Sequence, residues 1–201
     1  VDRVEKLKAP KKRRPQSWTP EQFDKVLQLL PEHWQLLCLL SFSGVRKGVL
    51  TTLKRSQVNL EEQTILVPQQ KRQPERVVPI HPRALALLEK KLSSLAKNEE
   101  RVFHDCKFSN TTWRRICEEA EVPKLRFHDL RTCVSTWLKQ KGFSGDVVSK
   151  LFAHSTPVLT YQVYTDLEDL ETRRRAVLAL PVFESASPEA RRRSARRGAM
   201  P

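Results

Sequence analysis

KLRFHDLRTCVSTWLKQKGFSGDVVSKLFAHSTPVLTYQVYTDLE, residues 124–168, is the stretch around which the chain is organised. His128 and Arg131 stand three residues apart, which puts both on one face of a helix's first turn. A helix start also presents unpaired N–H groups and a positive dipole end, and both attract phosphate. A second histidine, His154, follows the apolar Leu151-Phe152-Ala153, and two tyrosines, Tyr161 and Tyr164, close the stretch. Cationic and neutral groups gather here with few acids between them. Such a set suits a phosphodiester: arginines hold the anionic oxygens, a histidine moves a proton, and a phenol attacks. Each feature alone also has a plain structural reading, as a surface pair, a core histidine or packed aromatics. Their order and spacing together shift the balance.

Outward from that stretch the pattern is mostly helical. Phe127, Leu130, Val134, Trp137 and Leu138 form an apolar stripe that runs to Lys141 and ends at Gly142. Upstream, Thr19 followed by Pro20 and Gln22 reads as a capping box with proline at the first helical position. That helix buries Phe23, Val26, Leu27 and Leu30, and the next, after Pro31, buries Trp34, Leu37, Cys38 and Leu40. Gly44 supplies the left-handed residue that stops it, Arg46 follows at once, and a short helix through Leu50 and Leu53 comes next. Between Gln57 and Ile80 the period changes. The segments 57–60, 64–67 and 76–80 are short, β-branched and separated by polar turns, which predicts a three-stranded antiparallel sheet with Lys71 in its second turn. Helices are expected again over 82–97, 110–120, 146–152, 157–164 and 166–180, the last with Leu167, Leu170, Arg174, Val177 and Leu178 on one face. The fold class that follows is α+β, mainly helical with one small sheet.

The chain has 201 residues and a formal net charge of +14, which points to a polyanionic partner, nucleic acid above all. Residues 1–14 hold +5 and residues 185–201 hold +4, so a moderately basic globular part lies between two strongly basic ends. The expected organisation is a basic linker or arm over 1–16, one domain over 17–180 and a basic disordered tail over 181–201. Cys38, Cys106, Cys117 and Cys133 make no C-x-x-C and read as reduced thiols, which excludes a zinc site or a disulfide framework and suits the cytoplasm. No run of apolar residues approaches membrane-spanning length, and the N-terminus lacks the apolar core of a secretory signal. Beginning at Val1 rather than Met, the chain reads as a fragment of a longer one.

Five segments, taken in order, are more specific than any one of them: S-G-V-R-K-G (43–48), Q-K-R-Q-P-E-R-V-V-P-I (70–80), H-D-L-R (128–131), F-A-H-S (152–155) and T-Y-Q-V-Y-T (160–165). Together they resemble the catalytic domain of the tyrosine recombinase, or phage integrase, family from about Trp18 to Leu180. The resemblance implies that family's catalytic-domain fold. It implies that Arg46 and Arg131 bind the non-bridging oxygens of the scissile phosphate and that Lys71 protonates the leaving 5′ oxygen. His128 would assist proton transfer from the nucleophile, His154 would donate to a phosphate oxygen, and Tyr164 would attack to give a 3′-phosphotyrosine. It further implies double-stranded DNA as the substrate and no metal or other cofactor. An N-terminal core-binding domain would precede the chain. The protein would be a monomer alone and a tetramer when synapsed on DNA, acting at the nucleoid. Two departures stand out. Val49 occupies a position where the family often has an acid, and the step from His154 to Tyr164 is one residue longer than usual. The T-x-Q-x-Y-T context favours Tyr164, with Tyr161 as the alternative nucleophile. A type IB topoisomerase would share this chemistry, and a DNA-binding regulator on an inactive recombinase fold would lack it.

Overall fold

The computed structural model describes residues 16–70, 74–104, 106–107, 109–152 and 166–181, with the side chains of 166–169 left aside. Helix α1 (Pro20–Leu29) opens with the expected capping box: the Thr19 hydroxyl accepts from the Gln22 N–H, and the Gln22 side chain accepts from the Thr19 N–H. Helix α2 (Glu32–Leu40) is buried all along from Trp34 to Leu40, because it is apolar around its whole circumference and other elements surround it. The buried Gln35 amide donates to the Leu30 carbonyl at 2.8 Å and so satisfies the end of α1.

A 3₁₀ turn (Ser41–Ser43) follows α2 and stops at Gly44, in the left-handed region at φ +73°. Helix α3 (Lys47–Leu50) is one turn long, so the expected short helix ends before Leu53, which packs in the core beyond it. Strands β1 (Val58–Asn59), β2 (Thr64–Val67) and β3 (Arg76–Pro79) form the antiparallel sheet in the order β1-β2-β3. Strand β1 is shorter than expected because the chain before it, Arg55–Gln57, winds into a 3₁₀ turn. The sheet is one-sided: Ile65, Val67 and Val78 are buried, while the cross-strand pair Leu66 and Val77 faces outward.

Four helices and a linking 3₁₀ turn follow the sheet: α4 (Pro82–Ser94), α5 (Asn110–Glu119), the 3₁₀ turn Phe127–Asp129, α6 (Leu130–Gln140) and α7 (Gly145–Phe152). Helix α8 (Asp166–Leu178) packs on α7 and on β3. Ala176 and Val177 of α8 are buried, as is Leu180 just beyond its end, and Leu178, expected on the buried face, is 53% exposed. Arg173 donates to the Val77 carbonyl at 3.0 Å, so α8 covers the free edge of β3. The centre of the molecule is aromatic. Phe23, Phe42 and Trp137 lie within 5.8 Å of one another, ring centre to ring centre. Cys38, Cys117 and Cys133 are buried and Cys106 is half-buried, all as free thiols. Among the described residues no helix is long and apolar enough to cross a membrane. The proposed arm up to residue 15, the tail from residue 182, Lys71 in its turn, and the segment with His154, Tyr161 and Tyr164 lie outside the described residues.

Candidate active site

Arg46 is placed by the turn that precedes it. Gly44 leaves the 3₁₀ turn with positive φ, Val45 is buried, and Arg46 takes an extended conformation as the N-cap of α3. Its guanidinium therefore projects from the surface, where Nη1 donates to Gln70 Oε1 at 3.2 Å. Gln70 is the residue immediately before Lys71. A side chain at Gly44 has no room: a Cβ there would stand 2.1 Å from the Leu151 carbonyl oxygen, at the end of α7.

Arg131 projects from the first turn of α6 into the same corner. Its Nη1 donates to the Gly44 carbonyl at 2.7 Å and its Nη2 to the Phe152 carbonyl at 2.8 Å, and the guanidinium stacks 4.4 Å above the Phe152 ring. Arg76, the first residue of β3, reaches the corner from the sheet. It donates to the Gly44 carbonyl at 3.1 Å and to the Leu151 carbonyl at 3.3 Å. Sequence reading passed over Arg76; its only trace was the position of an arginine at the start of an otherwise apolar strand. Burial lowers the pKa of Arg131 to about 10, with Arg46 and then Arg76 repelling its proton further. Burial likewise lowers Arg76 to about 10, with Arg173 and Arg46 adding to the effect. Both remain cations at neutral pH. Among the described residues their hydrogen bonds go only to main-chain carbonyls, so no carboxylate neutralises them. The guanidiniums of Arg46 and Arg131 can receive an anion, with Arg76 on the carbonyl frame behind them.

His128 lies in the 3₁₀ turn just before α6 and is exposed. Burial of part of the ring lowers its pKa, and Arg131 is the next largest cause, so the imidazole is neutral at pH 7 and able to accept a proton. Indole N–H groups pin the segment leading to it. Trp18 donates to the Pro123 carbonyl at 2.8 Å and Trp113 to the Leu125 carbonyl at 2.7 Å. Phe127 is buried with its ring 5.6 Å from that of Trp113, and the Lys47 ammonium lies 5.9 Å above it. The turn itself is closed by Asp129, whose carboxylate accepts from the Arg126 N–H and guanidinium. The chain's own acid thus occupies part of the helix start that the sequence suggested for phosphate.

A cleft of about 480 Å³ runs from Arg46 and His128 across the surface toward α5. Lys47, Arg114, Lys124 and Arg126 line its walls, Trp113, Leu125 and Phe127 its floor, and no acid is among its lining residues. Val49 is half-buried and packs against the core. The structure therefore brings Arg46 together with His128 and Arg131, from two places in the chain more than 80 residues apart.

The comparisons with known proteins agree with this architecture. The chain matches the phage integrase family over residues 19–171, and it belongs to that family. It is 29% identical over 179 residues to the tyrosine recombinase XerA of Thermococcus onnurineus, an alignment covering 82% of this chain and 63% of the relative. It is 30% identical over 181 residues to XerA of Thermococcus kodakarensis, covering 82% of this chain and 63% of the relative. The chain thus spans less than two thirds of the length of these relatives. In fold it is similar to a crystal structure of XerA recombinase, with a TM-score of 0.61, 17% identity, and coverage of 97% of this chain and 67% of the other. It is similar also to the integrase of mycobacterium phage Brujita, with a TM-score of 0.63, 20% identity, and coverage of 93% and 65%. The Tn1549 transposon integrase in complex with circular intermediate DNA matches with a TM-score of 0.55 and 12% identity, covering 92% and 66%.

Proposed function

We propose that this chain is the catalytic part of a site-specific DNA recombinase that cleaves and rejoins DNA through a 3′-phosphotyrosine. The observation that carries this reading is the convergence of Arg46, Arg131 and His128, from α3, α6 and the turn before α6, beside a basic cleft with no acidic lining residue. The cleft's cations suit the flanking phosphates of a strand laid across it. Arg46 and Arg131 hold the non-bridging oxygens and offset the charge that grows on them in the transition state. Neutral His128 accepts the phenolic proton as Tyr164 Oη forms its bond to phosphorus. The bond from phosphorus to the 5′ oxygen breaks, and Lys71 gives that oxygen its proton. His154 donates to a phosphate oxygen. The phosphotyrosine conserves the phosphodiester's energy, so a free 5′ hydroxyl reverses the step without ATP. The similarity to tyrosine recombinases and to the DNA-bound Tn1549 integrase supports this assignment. Exchange between two duplexes requires four such protomers, and we infer the tetramer on DNA from that stoichiometry.

Covalent trapping tests the reading. The full-length protein is incubated with phosphorothiolate-bridged or nicked DNA carrying candidate sites, and the adduct is resolved on a denaturing gel and mapped by mass spectrometry. The expected adduct is on Tyr164, and Tyr164→Phe abolishes it while leaving DNA affinity unchanged. An adduct on Tyr161 keeps the chemistry and moves the nucleophile. No adduct on tightly bound DNA overturns the proposal in favour of a DNA-binding regulator.

A further inference from the structure

The corner behind the candidate site is built around one carbonyl. Gly44 O accepts from Arg131 at 2.7 Å and from Arg76 at 3.1 Å. The second donor of each guanidinium goes to one of the last two carbonyls of α7, Leu151 for Arg76 at 3.3 Å and Phe152 for Arg131 at 2.8 Å. The last carbonyls of a helix have no partner within the helix and carry partial negative charge, so cations there are favourable. The arrangement ties β3, α6, the turn before α3 and the end of α7 into one unit. Arg76 and Arg131 play different parts in it. The terminal nitrogens of both hold main chain, but Arg76 is the more enclosed, its Nε being buried and without a partner among the described residues.

We propose that Arg76 is a positioning residue for the reaction. By bridging the Gly44 and Leu151 carbonyls it fixes the turn that presents Arg46 and the carbonyl frame against which Arg131 is oriented. This inference rests on the recombinase reading above. Its physical basis is that a phosphoryl transition state tolerates little misplacement of its two clamps, with an ångström of drift able to cost on the order of a hundredfold in rate.

The test uses the full-length protein and the phosphorothiolate DNA substrate, and reads the single-turnover rate of adduct formation, DNA affinity and thermal unfolding for wild type, R76Q and R76K. R76Q is expected to slow adduct formation by about tenfold or more while DNA affinity stays within about twofold of wild type. R76K keeps the charge but loses the planar fork, and is expected to fall between the two. A double-mutant cycle with R131K supplies the readout that general destabilisation would not give. Because Arg76 acts in part through Arg131, R76Q costs less in rate in the R131K background than in wild type. Three results overturn the inference: an R76Q rate within about twofold of wild type, a rate loss matched by an equal loss of DNA affinity, or additive effects in the cycle. If R76Q unfolds below the assay temperature, R76K decides, and a wild-type rate for it overturns the inference. A wild-type protein that gives no adduct on bound DNA overturns the recombinase reading itself, and this inference with it.

Discussion

The neutral state of His128 follows from its surroundings. Part-burial of the ring and the nearby Arg131 guanidinium both disfavour the imidazolium, and Asp129 only partly offsets them. The expected outcome of an NMR titration of the DNA-free protein is therefore a His128 midpoint below the ordinary histidine value of about 6.5. Arg131→Gln removes one of the repelling charges, so the midpoint moves up. A midpoint that stays put in that variant would mean Arg131 does not face the ring. The sign has a functional consequence in the proposed mechanism. A base with a lowered pKa is available across the neutral range and is lost only as pH falls through that pKa. The adduct-forming rate is then flat near pH 7 and drops on the acid side. Trp18 and Trp113 matter at the same scale, since their indole N–H groups hold the carbonyls of Pro123 and Leu125 just ahead of the histidine. Both are plain apolar residues in the sequence. Nothing in their spacing reveals the carbonyl each will meet, because those partners are 105 and 12 residues away.

Between elements, the Gly44 turn meets the end of α7 closely. Two independent restraints act at Gly44: a backbone at φ +73°, and a Cβ position only 2.1 Å from the Leu151 carbonyl oxygen. Gly44→Ala is expected to destabilise the domain by at least about 2 kcal/mol, the backbone strain alone accounting for roughly half or more of it. Equilibrium denaturation with urea measures this, and a loss below about 0.5 kcal/mol would show that α7 can withdraw freely. Where the variant remains folded, adduct formation is expected to fall as well, since the same carbonyls orient Arg131. The helix-stopping role of Gly44 was legible in Ser-Gly at the end of an apolar run. Its second role, closeness to α7, was not, because Leu151 lies 107 positions away and only the packing brings the two together.

For the molecule as a whole, His81 joins the sheet, α4 and α8. It is fully buried, its Nδ1 accepts from the Arg83 N–H to cap α4, and its ring meets Phe42 edge-on at 5.7 Å. Burial lowers its pKa from 6.5 to about 4, the Leu180 carbonyl at the end of α8 working against the shift and Arg83 adding to it. The unfolded chain takes up a proton at the ordinary value, whereas the folded domain does so only near the lower one. Stability from this group is therefore full above that ordinary value and declines as pH falls toward the folded one, by up to roughly 3 kcal/mol. His81→Asn keeps a side-chain acceptor for the cap and cannot titrate, so unfolding free energy measured against pH is expected to lose about one proton of slope in that window. An unchanged slope would assign the acid sensitivity to other groups. The sequence by itself determined the element types, the small antiparallel sheet from its short β-branched segments, the caps at Thr19 and Gly44, the basic character, and the family through five ordered motifs. Those signals are local: they depend on a residue and its near neighbours in the chain. Tertiary structure decided that Arg46, Arg76 and Arg131 share one corner, that Gly44 gives its carbonyl to two guanidiniums, that Leu178 faces solvent while Ala176 is buried, and that a basic cleft leads away from His128. Such facts arise from contacts between positions far apart in the chain, formed only when burial of the shared aromatic core brings the elements together, and no local pattern encodes them.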